Sequence, residues 1–171
     1  MPLRDATADD LPAMTAIYAH HVLTGTGTFE EVPPGQDELA ARMARIQQAG
    51  CAWLVAEEHG AVLGYGYFGP LRERAAYRFS VEDSIYVRHD VHGQGLGKSL
   101  VAALLERAEQ AGFRQMFAVI GDSENVGSIG LHLSLGFRQV GLLRSAGLKF
   151  GRWLDVIYMQ RALGVGDKTL P

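Results

Sequence analysis

Apolar positions along the chain fall into stretches of helical and of strand period. Leu3-Arg4-Asp5-Ala6 reads as a short opening strand. Thr7, with Asp10 three residues on, has the form of a helix cap with an acidic first turn. Leu11, Met14, Ile17, Tyr18 and His21 then fall at helical spacing. Thr24 to Gly35 is a loop rich in Gly, Thr and Pro. Asp37 is placed to cap a second helix that turns Leu39, Met43 and Ile46 inward and stops at Gly50. Trp53 to Ala56, the turn Glu57-Glu58-His59-Gly60, and Val62 to Phe68 read as strand, tight turn and strand. A polar segment, Leu71 to Arg78, precedes a strand over Val81 to Val87. After the glycine-rich turn His89 to Gly97, Leu100, Val101, Leu104, Leu105 and Ala108 mark one face of a helix over Lys98 to Ala111, stopped by Gly112. A strand over Gln115 to Ile120, a short helix over Asn125 to Leu135, and strands over Phe137 to Leu143 and Trp153 to Gln160 complete the pattern.

The order β-α-α-β-β-β-α-β-α-β-β predicts a mixed α/β domain around one central sheet. At 171 residues the chain suits a single domain with a real core. Neither an internal repeat nor a linker is visible. Apolar residues make up 47% and charged residues 20%, which argues against intrinsic disorder. With 16 Lys and Arg against 19 Asp and Glu, the net charge of −3 gives no bulk attraction to nucleic acid or anionic membrane. The single cysteine, Cys51, allows no intrachain disulfide and reads as a small core residue. Pro2-Leu3-Arg4-Asp5 lacks the apolar run of a signal peptide, and no stretch approaches 20 apolar residues, so a soluble, cytoplasmic protein is expected. His20, His21 and His89 lack metal-ligand spacing with Cys or acidic partners, so no metal is expected.

The 21 glycines exceed the usual share, and their most informative use is Arg88-His89-Asp90-Val91-His92-Gly93-Gln94-Gly95-Leu96-Gly97-Lys98. It runs from a strand into a helix with glycine at three alternate positions. Such a turn points successive backbone N–H groups into one concavity at the positive end of a helix, a place for phosphate or pyrophosphate. The phosphate-loop pattern G-x-x-x-x-G-K-[ST] fails because His92 occupies its first glycine position. The dinucleotide fingerprint fails because its third glycine would fall at Lys98. Gly64-Tyr65-Gly66-Tyr67-Phe68-Gly69 matches that fingerprint as text but lies inside a strand, where its glycines mark close approach.

The turn resembles the cofactor loop of the GNAT superfamily of acetyl-CoA-dependent N-acetyltransferases, [QR]-x-x-G-x-[GA]. Gly95 and Gly97 match, and His92 stands where that pattern has Gln or Arg. Asn125-Val126-Gly127-Ser128-Ile129-Gly130-Leu131-His132-Leu133-Ser134-Leu135-Gly136-Phe137 is similar to the superfamily's N-x-x-[AS]-x-x-[LF]-[YH]-x-x-x-G-F. Val81-Glu82-Asp83-Ser84-Ile85-Tyr86-Val87, Lys149-Phe150-Gly151-Arg152-Trp153-Leu154-Asp155 and Ile17-Tyr18 with the histidine that follows resemble the phosphinothricin and methionine sulfone (sulfoximine) acetyltransferase branch. The resemblance covers about residues 3–160. It implies a GNAT fold: a central mixed, mostly antiparallel sheet flanked by helices, with splayed fourth and fifth strands. Residues 1–161 would form the single acetyltransferase domain and 162–171 a tail.

The resemblance also implies roles. Ile85, Tyr86 and Val87 would pair through their backbone with the pantetheine arm of acetyl-CoA and polarise the thioester carbonyl. Gly93, Gln94, Gly95, Leu96, Gly97 and Lys98 would supply amides to the pyrophosphate, and Asn125 would bond the pantetheine arm or simply cap its helix. Glu82 is the candidate general base, because the acceptor amine must lose a proton before it attacks. Strand alternation puts only one of Glu82 and Asp83 in the cleft, and the Val-Glu match favours Glu82. His132 stands where a proton donor to the leaving thiolate is expected. Arg72, Glu73 and Arg74, with Glu82, Asp83 and Ser84, would meet an amino-acid substrate, Arg72 holding its carboxylate. Arg74 replaces an aromatic residue common in the methionine sulfone type.

The function implied is transfer of acetyl to the α-amine of a small amino acid or analogue by direct attack, in a homodimer expected from the branch alone. The rivals are a non-catalytic acyl-CoA sensor on the same fold, which would dispense with Glu82 and His132, and a phosphate-loop kinase, for which Asp122 is the one weak magnesium ligand.

Overall fold

The computed structural model describes residues 2–91 and 93–171; His92, the departure within the turn motif, lies outside the described residues. The strands are β1 (Leu3–Asp5), β2 (Trp53–Glu58), β3 (Ala61–Pro70), β4 (Ser80–Val87), β5 (Gln115–Gly121), β6 (Arg138–Lys149) and β7 (Arg152–Ala162). The helices are α1 (Leu11–Thr24), α2 (Gln36–Gln48), α3 (Leu96–Gln110) and α4 (Val126–Ser134). The element order is that read from the sequence. The strands form one seven-stranded sheet in the order β1-β2-β3-β4-β5-β7-β6. Neighbours run antiparallel except β4 and β5, which run parallel.

Strand alternation divides the apolar residues between two cores. On one face α3 and α4 cover Leu54, Leu63, Val81, Met116 and Met159. On the other, α1 and α2 cover Trp53, Val55 and Tyr65 with Met14, Ile17, Tyr18, Leu39 and Met43. The strand glycines of β3 serve close packing. A Cβ on Gly66 would lie 2.9 Å from Cγ2 of Ile85 and 3.1 Å from Cδ1 of Leu104, so its absence lets α3 settle on the sheet.

Local caps differ in detail from the sequence expectation. Asp10 accepts from the Thr7 N–H at 2.8 Å as expected, but it closes a single 3-10 turn before α1 begins. Gly35 occupies the cap position of α2, and Asp37 sits one residue inside, where its charge still complements the helix dipole. Strand β6 runs six residues beyond the expected end at Leu143, because pairing with β7 resumes at Gly147 after a register break. Ser145 at φ 51° marks the break, and its N–H donates to the Asp155 carboxylate at 2.9 Å. Leu163 after β7 is 2% exposed, and Arg114 donates to the Gly166 carbonyl, so the residues after β7 begin by packing on the domain. Cys51 is buried, and burial pushes its thiol up to about 11, consistent with a packing role. Among the described residues, no helix is long and apolar enough to cross a membrane.

Candidate active site

The parallel ladder between β4 and β5 has four registered pairs and ends at Asp83 with Ala118. Beyond that pair the two strands part, and no ladder joins Ser84–Val87 to Val119–Gly121. Backbone that would pair within the sheet is thereby left facing a cleft of about 560 Å³, within the range of small-ligand sites. Ser84, Ile85, Tyr86 and Val87 form one wall, and Ala118, Val119 and Ile120 the other. The start of α3 closes one end, and Asn125, Ser128, Leu131 and His132 from the start and face of α4 complete the lining.

The glycine-rich turn opens onto this cleft. Gly93 and Gly95 have φ of 80° and 77°, the left-handed region that glycine enters at no steric cost. Gly95 is the cap of α3, and the first helical bond runs from the Ser99 N–H to the Gly95 carbonyl at 3.0 Å. The N–H groups of Leu96, Gly97 and Lys98 therefore precede the helix's own ladder and point outward from its positive end. A Cβ on Gly97 would lie 2.7 Å from Cδ1 of Leu131, so glycine there lets α4 close on α3. Asn125 caps α4, accepting from the Ser128 N–H at 3.2 Å, and its amide faces Gly27.

Adjacent Glu82 and Asp83 fall on opposite faces of β4. Asp83 lines the cleft, 6% exposed, and Glu82 does not, the reverse of the expected placement; strand alternation turns Glu82 to the opposite face of β4, on which Tyr86 packs against the α1–α2 core. Burial pushes the Glu82 carboxyl above its ordinary range; the Arg72 charge opposes the shift and Asp83 adds to it. Asp83 Oδ2 lies 3.0 Å from Nε2 of His132, a residue 3% exposed, whose Nδ1 is 2.7 Å from the Ser128 carbonyl. Asp83 Oδ1 is buried without a hydrogen-bond partner among the described residues.

Sequence reasoning did not identify what roofs the cleft. The loop after α1 lies across the end of β5, and a Cβ on Gly121 would come within 2.5 Å of the Thr26 carbonyl. Thr26 Oγ1 donates to Asp122 at 2.8 Å, and Arg152 Nη2 donates to the same carboxylate at 2.9 Å. Lys149, 1% exposed, donates to the carbonyls of Gly25 and Thr28 at 2.9 and 2.8 Å. Burial lowers the Lys149 pKa while Glu31 and Glu30 oppose that shift. Gly27 is thereby held in the cleft lining. The lysine that opens the Lys149–Asp155 motif was the available signal. His21 also lines the cleft, with Nε2 2.8 Å from the Val87 carbonyl.

The predicted residues gather unequally. Those of β4 from Asp83 onward, the turn from Gly93 with the start of α3, Asn125 and His132 share the one cleft. Gln94 is exposed at its rim. Arg72, Glu73 and Arg74 are exposed on the segment before β4, outside the cleft lining, and Arg72 Nη1 donates to the Leu71 carbonyl at 2.6 Å. Among the described residues no three His, Cys, Asp or Glu side chains gather as a metal site.

Residues 15–137 match the model of the acetyltransferase (GNAT) family. The chain belongs to that family. Its sheet is the GNAT sheet, open between the parallel β4 and β5. Over 163 residues it is 55% identical to a phosphinothricin N-acetyltransferase of Alcaligenes faecalis, covering 95% of this chain and 83% of that protein. It is 43% identical over 162 residues to an L-methionine sulfoximine/L-methionine sulfone acetyltransferase of Pseudomonas aeruginosa, covering 92% of each. A crystal structure of a GNAT phosphinothricin acetyltransferase from Sinorhizobium meliloti in complex with acetyl-CoA superposes with a TM-score of 0.97 at 48% identity, covering 99% of this chain and 92% of that one. As a GNAT acetyltransferase, the chain is an enzyme of acyl transfer to nitrogen, and its open cleft is where the family's chemistry is to be sought.

Proposed function

We propose that this enzyme transfers acetyl from acetyl-CoA to the α-amine of a small amino acid or analogue of the phosphinothricin, methionine sulfone or sulfoximine type. The observation that carries the reading is the cleft opened where the β4–β5 ladder stops at Asp83 and Ala118. It joins an anion-binding helix start to a buried acid and histidine. The relatives named for phosphinothricin and for methionine sulfoximine or sulfone supply the substrate class. Their names also disfavour a non-catalytic sensor.

The cleft's residues fit acetyl-CoA. The α3 start offers N–H groups to a pyrophosphate, and Asn125 offers an amide beside the channel. The unpaired β4 edge offers backbone groups to an extended arm in the manner of an added strand. Acetyl-CoA would supply a thioester whose carbonyl oxygen gains charge during attack, and a β4 N–H can stabilise that charge. Glu82 takes a proton from the amine on the other face of β4, directly or through water, and burial keeps its pKa closer to the working range. Arg72, near enough to act on Glu82, holds the substrate carboxylate; Glu73, Arg74 and Ser84 border the same approach. His132 protonates the departing sulfur. Among the described residues no side chain is arranged as an activated nucleophile, and attack is direct.

Residues 1–161 as the catalytic domain, a cytoplasmic location and a homodimer belong to the same reading. Exposed Leu148 and Trp153 pair across the β6–β7 hairpin, with exposed Leu143 and Phe150 nearby, and give apolar surface for a second copy. Acceptors with phosphinic, sulfone and sulfoximine ends, assayed for thiol release from acetyl-CoA, test the proposal. Turnover with these and not with unrelated amines is expected. Bound acetyl-CoA without thiol release in the presence of any of them would leave only the sensor.

A further inference from the structure

The two ring nitrogens of His132 both face oxygen. A carbonyl can only accept, so the 2.7 Å contact with Ser128 fixes a proton on Nδ1. Nε2 meets a carboxylate oxygen 3.0 Å away, and that contact needs a second proton between the two atoms. The side chains of His132 and Asp83 are 3% and 1% exposed, so neither is neutralised by bulk water. A singly charged member would be costly to bury there, whereas an imidazolium beside a carboxylate is a neutral pair. The groups acting on the ring are Asp83 from β4, the Ser128 carbonyl from α4 itself, and the edge-on ring of Phe137, 4.9 Å between centroids. The pair sits where the ladder opens, at the inner end of the cleft.

We propose that Asp83 is a positioning residue that keeps His132 as an imidazolium, so that the pair stores the proton taken by the departing thiolate. This rests on the acetyl-transfer reading above. As the amine nitrogen bonds to the carbonyl carbon, the C–S bond breaks and its electron pair goes to sulfur. Sulfur takes the stored proton and leaves as a thiol. The pair is left as a neutral imidazole beside a carboxylate and regains a proton from solvent once the cleft empties. The protons lost by the amine leave separately through Glu82 on the other face of β4. Burial alone would lower the pKa of His132. The hydrogen bond and charge of Asp83, with the Ser128 carbonyl, outweigh it and hold the pKa above the ordinary value. The imidazolium therefore persists as pH rises past that ordinary value, and the donor is lost only as pH rises through the raised one.

The test is histidine NMR on protein carrying ring-labelled histidine, with the His132 signal assigned from His132→Asn. Wild-type His132 should be protonated on both nitrogens at neutral pH. In Asp83→Asn the new amide can donate to Nε2, so His132 should become neutral with its proton on Nδ1. kcat at neutral pH should fall by about tenfold or more, the alkaline limb of the kcat profile should move to lower pH, and acetyl-CoA affinity should stay within about twofold. Wild-type His132 found neutral at neutral pH would overturn the proposal, even if the variant failed to fold. So would an Asp83→Asn enzyme in which His132 turns neutral while kcat and its pH profile are unchanged. In either case wild-type thiol release would still measure acetyl transfer separately.

Discussion

Glu82 and Asp83 are neighbours in the chain and serve opposite faces of β4: Asp83 meets His132 in the cleft, and Glu82 lies under the influence of Arg72 on the other side. One strand can thus carry a proton acceptor and the partner of a proton donor without the two carboxylates sharing a site. In the proposed reaction, the alternation that separates them also separates its two ends, amine on one side and sulfur on the other.

Replacing Glu82 by Gln should lower kcat by about 10²–10⁴-fold while leaving acetyl-CoA affinity unchanged. A base must be deprotonated to act. With its pKa raised by burial, activity of the wild type should climb as pH rises through that raised value, above the ordinary carboxylate range. The variant should lose this acidic limb, which steady-state rates across pH will show. Unchanged turnover across pH would assign the base elsewhere.

Gly95→Val should weaken acetyl-CoA binding by tenfold or more, read by calorimetry. The φ of 77° at Gly95 is one that a β-branched residue resists at roughly 1–2 kcal/mol or more, and a side chain there would also stand where the phosphate is expected. The turn must shift, and the N–H groups of the α3 start shift with it. Gln94→Ala, at an exposed position that offers only its backbone, should bind acetyl-CoA as the wild type does.

Arg72→Ala should raise the acceptor KM by about threefold to tenfold, because an exposed guanidinium contributes on the order of 1 kcal/mol to an ion pair rather than the several of a buried one. Decarboxylated acceptors should show the same penalty with the wild type and no further penalty with the variant, since both changes remove one interaction. Additive losses in this double comparison would place the carboxylate elsewhere.

Lys149→Met should leave the Gly25 and Thr28 carbonyls without their donor and free the loop that carries Gly27. Stability should fall by about 1–3 kcal/mol in urea titration. In the folded fraction, the dissociation constant of acetyl-CoA should rise more than the acceptor KM, because the loop holds Gly27 in the cleft lining beside Asn125. An equal rise in both would show that the lysine also supports the acceptor side.

Much of this architecture is written locally. The alternation of β2 to β5, the helical stripe of α3 and the Asn125 cap are short-range signals, and the structure follows them. Longer-range facts are not written that way. Nothing in the residues near Asp83 states that the ladder stops there; only the strand pairing shows it. The Asp83–His132 contact joins residues 49 apart in the chain, and Lys149 reaches back 121 residues to Thr28. Polar Arg144-Ser145 looks like the end of a strand, yet β6 continues because β7 pairs with it again from Gly147. Glycine at 95 was legible as a turn residue, while its left-handed backbone needed the dihedral angle.

The most direct measurement follows one acetyl group. With acetyl-CoA labelled in the acetyl carbons and phosphinothricin or methionine sulfone as acceptor, thiol release and product NMR are recorded on the same wild-type reaction. One thiol per acetyl transferred is expected, with the label on the α-nitrogen. Binding of acetyl-CoA with no labelled amide formed, or label found on the side chain or on the protein, would contradict that transfer.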